Sequence, residues 1–205
     1  MSEIKIESLR PALAEIERYI VWMNDEMNIG ARVVPVISKR YKKDYLACFS
    51  ASTWATREGE SVHELQLAAE ALNREPTEIL ASVTHEMIHL FAESRGIKDC
   101  AASGRHNKKF QELAIDYGLM CEKQEGRGYG VTTLSPALKE RIEKEFKPDV
   151  TAFNLFRLNP IVKERKKGKS MKWVCKCEPV MVIRSNVEVD VTCNICHSLF
   201  EKEAL

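Results

Sequence analysis

Apolar side chains recur every three or four positions across residues 9–28 (Leu9, Leu13, Ile16, Ile20, Met23). This predicts an amphipathic helix with Ser8 as N-cap and Gly30 as its stop. Residues 32–37 and 45–50 are short β-rich runs around the polar segment 38–44, a pattern that predicts a hairpin; 61–67 alternates loosely through Val62, Leu65 and Leu67 as a third strand. The strongest helical period spans 77–95, with Ile79, Leu80, Val83, Met87, Leu90 and Phe91 on one side and Gly96 at the end. A second such helix is expected from about His106 to Tyr117, with Gly118 at C′. After a glycine-rich turn, Gly126-Arg127-Gly128-Tyr129-Gly130, a third should open at Ser135-Pro136, as N-cap and N1, and end near Phe146. Short strands beside helices give an α+β class.

Composition narrows the possibilities. At 44% hydrophobic, the chain is close to an ordinary globular domain, so wholesale disorder is excluded. No apolar run approaches the roughly 18 residues needed to cross a bilayer, and residues 1–7 lack a basic-then-apolar leader. The expectation is a cytoplasmic monomer without membrane contact. Net charge is only +1, but residues 151–205 hold 10 Lys/Arg against 6 Asp/Glu, whereas 1–150 hold 21 against 24. A basic tail of this kind suits a polyanion, although a solvated linker explains the charge as well.

Two constellations carry chemistry. His85-Glu86-Met87-Ile88-His89 is an H-E-x-x-H motif inside the strongest helix. At 100° per residue its two imidazoles share a face one turn apart and can bind one Zn²⁺ at about 2.0–2.1 Å. Zinc lowers the pKa of a bound water toward ~7, and Glu86, beside the pair, can take its proton and pass it to a leaving amine. A third ligand is required. His106 is the leading candidate, because the intervening turn can fold the next helix back across the first; Glu93 and Asp99 are weaker candidates, and His63 reads as an ordinary strand residue. Cys175-x-Cys177 and Cys193-x-x-Cys196, separated by 15 residues with two β-like runs, fit a structural Zn²⁺ in a small ribbon. The first half is one residue shorter than the usual C-x₂-C, and His197 is an alternative ligand. Cys48, Cys100 and Cys121 have no assigned role, and Tyr129 is read as packing rather than carbonyl polarisation.

Three segments, Thr84-His85-Glu86-Met87-Ile88-His89, Gly96-Ile97-Lys98-Asp99 and Gly104-Arg105-His106-Asn107-Lys108-Lys109-Phe110, with Tyr129-Gly130-Val131-Thr132 beyond them, resemble the SprT-like (Spartan-type) zinc metalloprotease family. They look most like the versions carried by bacterial phages and mobile elements. The resemblance implies a compact zincin core, His106 as third zinc ligand, and protein substrates crosslinked to or associated with DNA. The expected organisation is therefore a metallopeptidase core over 1–150, a basic linker over 151–172 and a zinc ribbon over 173–205. Lys163, Arg165, Lys166, Lys167, Lys169 and Lys172 would contact phosphates, with Trp173 stacking on an unpaired base. Lys39, Arg40, Lys42 and Lys43 read as a charged turn. Two other readings stay open: a DNA-binding zinc protein that cleaves nothing, and a metallopeptidase unconnected with nucleic acid.

Overall fold

The computed structural model describes residues 4–40, 45–159 and 170–203, which form two compact units, 1–159 and 160–205. The class is mixed α+β, with small sheets and four α-helices among the described residues. None of those helices is long and apolar enough to cross a membrane.

In the first unit, α1 (Arg10–Met27) buries Ile16, Tyr19, Ile20 and Met23 on the face its spacing predicts. α2 (Pro76–Ser94) starts with proline at its first position, where no backbone N–H is missed, and buries Ile79, Leu80, Val83, Met87 and Ile88. The helices are tied by a buried 2.8 Å hydrogen bond between the Tyr19 hydroxyl and Thr84 Oγ1, one residue before His85. Asn107 caps α3 (Lys108–Asp116) by accepting from the backbone N–H of Lys109 and Phe110. Ser135 caps α4 (Pro136–Arg141), which runs on into a wide turn, Ile142–Phe146.

The main sheet corrects the expected hairpin. Its strands are β1 (Val33–Ser38), β2 (Ala47–Ala55) and β3 (Ser61–Ala68), in the order β1-β3-β2. β3 lies between the other two, parallel to β1 and antiparallel to β2. Burial explains the arrangement: β3 carries the fully buried Leu65 and Leu67, and the centre of the sheet is where two neighbours can cover it. A second hairpin, β4 (Leu119–Gln124) with β5 (Gly128–Leu134), occupies a stretch where the sequence reading marks only a glycine-rich turn.

The first unit also extends past residue 150. Ala152 and Phe153, on a 3-10 turn, belong to its core, and the Arg157 N–H donates to the Ala69 carbonyl. Arg157 also pairs with the buried Glu70 at 3.3 Å. Residues 151–159 thus belong to the first compact unit, with Ala152 and Phe153 in its core and 154–159 on its surface, and Glu15 accepts from the Asp149 N–H where the chain turns back onto α1. Phe153→Ala should therefore destabilise the first unit by about 3 kcal/mol, the low end for a buried Phe. Denaturation followed by helical circular dichroism, which reports α1–α4, tests this; an unchanged midpoint would return 151–159 to the linker.

Candidate metal centres

His85 and His89 lie one turn apart on α2, so both imidazoles leave the helix on one side. His106 comes from the turn before α3, where its backbone bridges β5: its N–H donates to the Arg127 carbonyl and its own carbonyl accepts from the Tyr129 N–H. Glycine makes this approach possible. A Cβ on Gly128 would lie 2.0 Å from the His106 carbonyl oxygen, and one on Gly130 would lie 2.5 Å from His106 Nδ1. The glycine-rich turn is thus the seat of the third histidine.

The three Nε2 atoms converge. His85–His106 is 3.0 Å, His89–His106 3.1 Å and His85–His89 3.3 Å. Donors held tetrahedrally at about 2.0–2.1 Å from one ion lie about 3.3–3.4 Å apart, so the trio fits a shared metal with little adjustment. The outer nitrogens are held too: Asp99 Oδ2 sits 2.5 Å from His89 Nδ1 and Thr132 Oγ1 sits 2.9 Å from His85 Nδ1. These bonds turn each Nε2 inward. His106 Nδ1 is buried with no partner, so this ring is aimed by packing instead. Phe110, fully buried, packs on all three rings with centroids 4.7, 4.8 and 4.4 Å from His85, His89 and His106.

Burial sets the protonation states. His85 is held well below the ordinary histidine value by burial and by the neighbouring His89 and His106, and His106 is pushed down to about 4 by burial and His89. Burial works most strongly against charge on His89, but the Asp99 bond together with the negative charges of Glu86 and Asp99 outweighs it, and its value is raised. Two of the three rings are therefore neutral and ready to ligate at neutral pH. Glu86 is 6% exposed, and burial raises its carboxyl to about 7 against the lowering pull of His89 and of a hydrogen bond with the Phe49 backbone.

The other candidates fall elsewhere. Asp99 stands behind His89 and forms a second possible ligand group with His89 and Cys100, while Glu93 belongs to none of the groups among the described residues. His63 accepts from the Ser52 N–H on the main sheet, and Tyr129 packs against the core. Beside the histidines a cleft of about 830 Å³ is lined by Glu86, Arg74 and Thr132, among others. The sequence assigns Arg74, Phe110 and Thr132 no part in the metal site; Phe110 and Thr132 lie inside the segments that carry the family resemblance.

In the second unit, β6 (Met171–Val174) pairs with β7 (Val182–Ser185) and β8 (Glu201–Lys202). The Sγ atoms of Cys175, Cys177, Cys193 and Cys196 lie within 4.8 Å of one another and could hold a metal ion; Cys177 and Cys193 are 3.6 Å apart. About 3.8 Å is the spacing of four thiolates around one ion at about 2.3 Å. The short C-x-C half joins the group, with the Cys177 N–H donating to Cys175 Sγ at 3.5 Å. The Ser198 hydroxyl pulls Cys196 down to about 6, which favours the thiolate. His197 lies outside the group.

The proposed phosphate contacts Lys163, Arg165, Lys166, Lys167 and Lys169, like Lys42 and Lys43, lie outside the described residues. Lys172 is paired with Glu203 at 2.6 Å. Trp173 is corrected: at 6% exposure its ring forms the small unit's core with Cys175, Cys193 and Phe200, which removes it from any base-stacking role.

No family model, curated protein or solved structure matches the chain.

Two expectations follow from this geometry. The histidine and cysteine groups share no residue, so the chain should bind two divalent ions, and His106→Ala should retain one, as read by elemental analysis of dialysed protein; retention of both would remove His106 from the centre. In the metal-free chain, His85 and His106 have depressed folded values while unfolded histidine takes up its proton near 6.5. The unfolded state then binds more protons, so stability present above pH 6.5 is lost as pH falls from 6.5 toward about 4. His89 and Glu86, whose values are raised, act in the opposite sense, so the test is the difference: in thermal melts of chelator-treated protein, stability should fall more steeply below pH 6.5 with His106 present than in His106→Gln. Equal pH slopes in both proteins would contradict the assignment.

Proposed function

We propose that the first unit is a zinc-dependent metallopeptidase of SprT-like type, and that the four cysteines hold a structural zinc in a ribbon. The observation that carries this reading is the set of three Nε2 atoms 3.0 to 3.3 Å apart, with a buried glutamate next in sequence to one ligand and a cleft alongside. Three imidazoles suit a borderline-soft ion that needs no particular d-electron geometry, and three protein ligands leave a position open for substrate. Zinc, when bound there, supplies Lewis acidity that polarises a peptide carbonyl and acidifies water toward pKa ~7.

The rest of the chemistry belongs to the chain. Glu86 takes a proton from the attacking water as the water oxygen bonds to the carbonyl carbon. As the C–N bond breaks, Glu86 delivers that proton to the amide nitrogen, which leaves as an amine. Asp99 and Thr132 keep His89 and His85 from rotating during this exchange, and the Phe110 ring closes the site from the core side. The cysteine group offers four ligands and no open position, so its metal contributes folding free energy rather than catalysis.

Substrates associated with DNA are part of the same proposal. Their support is the family resemblance together with the excess of 10 Lys/Arg over 6 Asp/Glu in residues 151–205. Among the described residues of the second unit, Arg184 is exposed and available to phosphate.

Glu86→Gln preserves shape and removes the base. Zinc content should stay at the wild-type level while proteolysis drops roughly 10²–10⁴-fold. Undiminished cleavage by a homogeneous preparation of this variant would reject the mechanism. Full zinc and DNA binding without cleavage by the wild-type chain would favour the non-proteolytic reading.

A further inference from the structure

Arg74 stands between a 3-10 turn (Ala69–Asn73) and α2, and its guanidinium lies along the helix face that carries the metal centre. Nε donates to the Ala71 carbonyl at 2.9 Å, Nη1 to the Glu78 carbonyl at 3.3 Å and Nη2 to Ser82 Oγ at 3.1 Å. All three acceptors are neutral. Among the described residues no carboxylate lies within ion-pair distance of Arg74, although Glu78 is close enough to be felt. Burial works against its charge. Of five guanidinium N–H groups, three are used and two remain. A partly desolvated cation held rigid by three bonds, with donors to spare and no counter-ion, is an anion site awaiting its anion.

Its surroundings identify the anion. Arg74, Ser82, His85 and Glu86 line the same cleft, with Arg127 and Lys139 also on its wall. Lys139 is only loosely engaged, 4.0 Å from Glu143. The acids on the wall are Glu78 and the buried Glu86. Leu46, Ala81 and Leu134 supply apolar surface between the charges, which suits a peptide better than the evenly charged, exposed groove that tracks a phosphate backbone. Ser82, which holds Nη2, precedes His85 by one turn, about 4.5 Å along the axis. An extended peptide advances about 3.3–3.6 Å per residue.

We propose that Arg74 is the specificity determinant of this cleft, receiving the carboxylate of an Asp or Glu side chain within about three residues of the bond presented to the metal centre. The inference rests on the metallopeptidase reading for what happens next, but acidic-peptide binding stands apart from cleavage.

The test uses the zinc-loaded, full-length Glu86→Gln chain and fluorescein-labelled decapeptides of neutral sequence, with one Glu, Gln or Lys scanned through the central positions at low salt. Anisotropy should show Glu favoured over Gln by about tenfold at one or two adjacent positions, the size of one charge-assisted hydrogen-bond set. Arg74→Met should erase that preference, Arg74→Lys should keep part of it, and Arg74→Glu should shift it toward Lys. Thermal melts identify any variant that fails to fold; in that case the Glu-against-Gln comparison with Arg74 in place decides. Equal affinity for Glu and Gln peptides, or no measurable peptide binding, overturns the proposal. So does Arg74-dependent binding of a single-stranded oligonucleotide in place of the peptides. A Glu preference with no cleavage of any peptide by the wild-type chain would remove the peptidase reading and leave this one standing.

Discussion

Three imidazole nitrogens directed at one point, each within 3.3 Å of the other two, set the terms for the first unit. Neutral rings can satisfy one another only in pairs, because each Nε2 either donates or accepts, and burial discourages two of these rings from charging. A shared cation would satisfy all three at once, and the protein holds the arrangement by packing. α2 is fixed to α1 through Tyr19 and Thr84, while Asp99 and Thr132 lock two rings from behind. Phe110 fills the space beneath all three. Gly128 and Gly130 let β5 pass where any Cβ would strike His106. These features lie on α1, α2, the turn that carries Asp99, α3 and β5, so the centre forms only when these segments are folded together.

The small unit follows the same logic with less material. Its buried core is Trp173, Cys175, Cys193 and Phe200, two of which are candidate ligands. So small a cluster offers little to offset the conformational entropy of the segment, and a metal held by the four thiolates, as proposed above, would supply the missing folding free energy. This also accounts for Trp173, which the small core needs more than a surface needs an aromatic ring.

Local chemistry was legible in the sequence where it depended on short spacing. The i, i+4 histidines, the Ser135 cap and the paired cysteines all lie within a few residues of their partners, and the structure brings each set together. Long-range decisions were not legible. Adjacent β-rich runs suggested a hairpin, but the pairing was decided by which strand had most to bury, and that was Leu65 and Leu67 on β3. The end of the first unit was misplaced because Glu15 catches residue 149 from 134 positions away. Arg74 gave no signal, since its significance lies in the carboxylate it lacks. The glycine-rich turn was visible as a turn, while its purpose, close passage to His106, needed three dimensions.

The central claim is that one metal ion sits between His85, His89 and His106. The most direct measurement is a crystal structure of the zinc-loaded chain with anomalous data on both sides of the zinc absorption edge. The account predicts one peak about 2.0–2.1 Å from the three Nε2 atoms and a second about 2.3 Å from the four cysteine sulfurs. A peak on the far side of His89, among its Nδ1, Asp99 and Cys100, or no peak at the three Nε2 atoms in a chain that retains its fold, would contradict it.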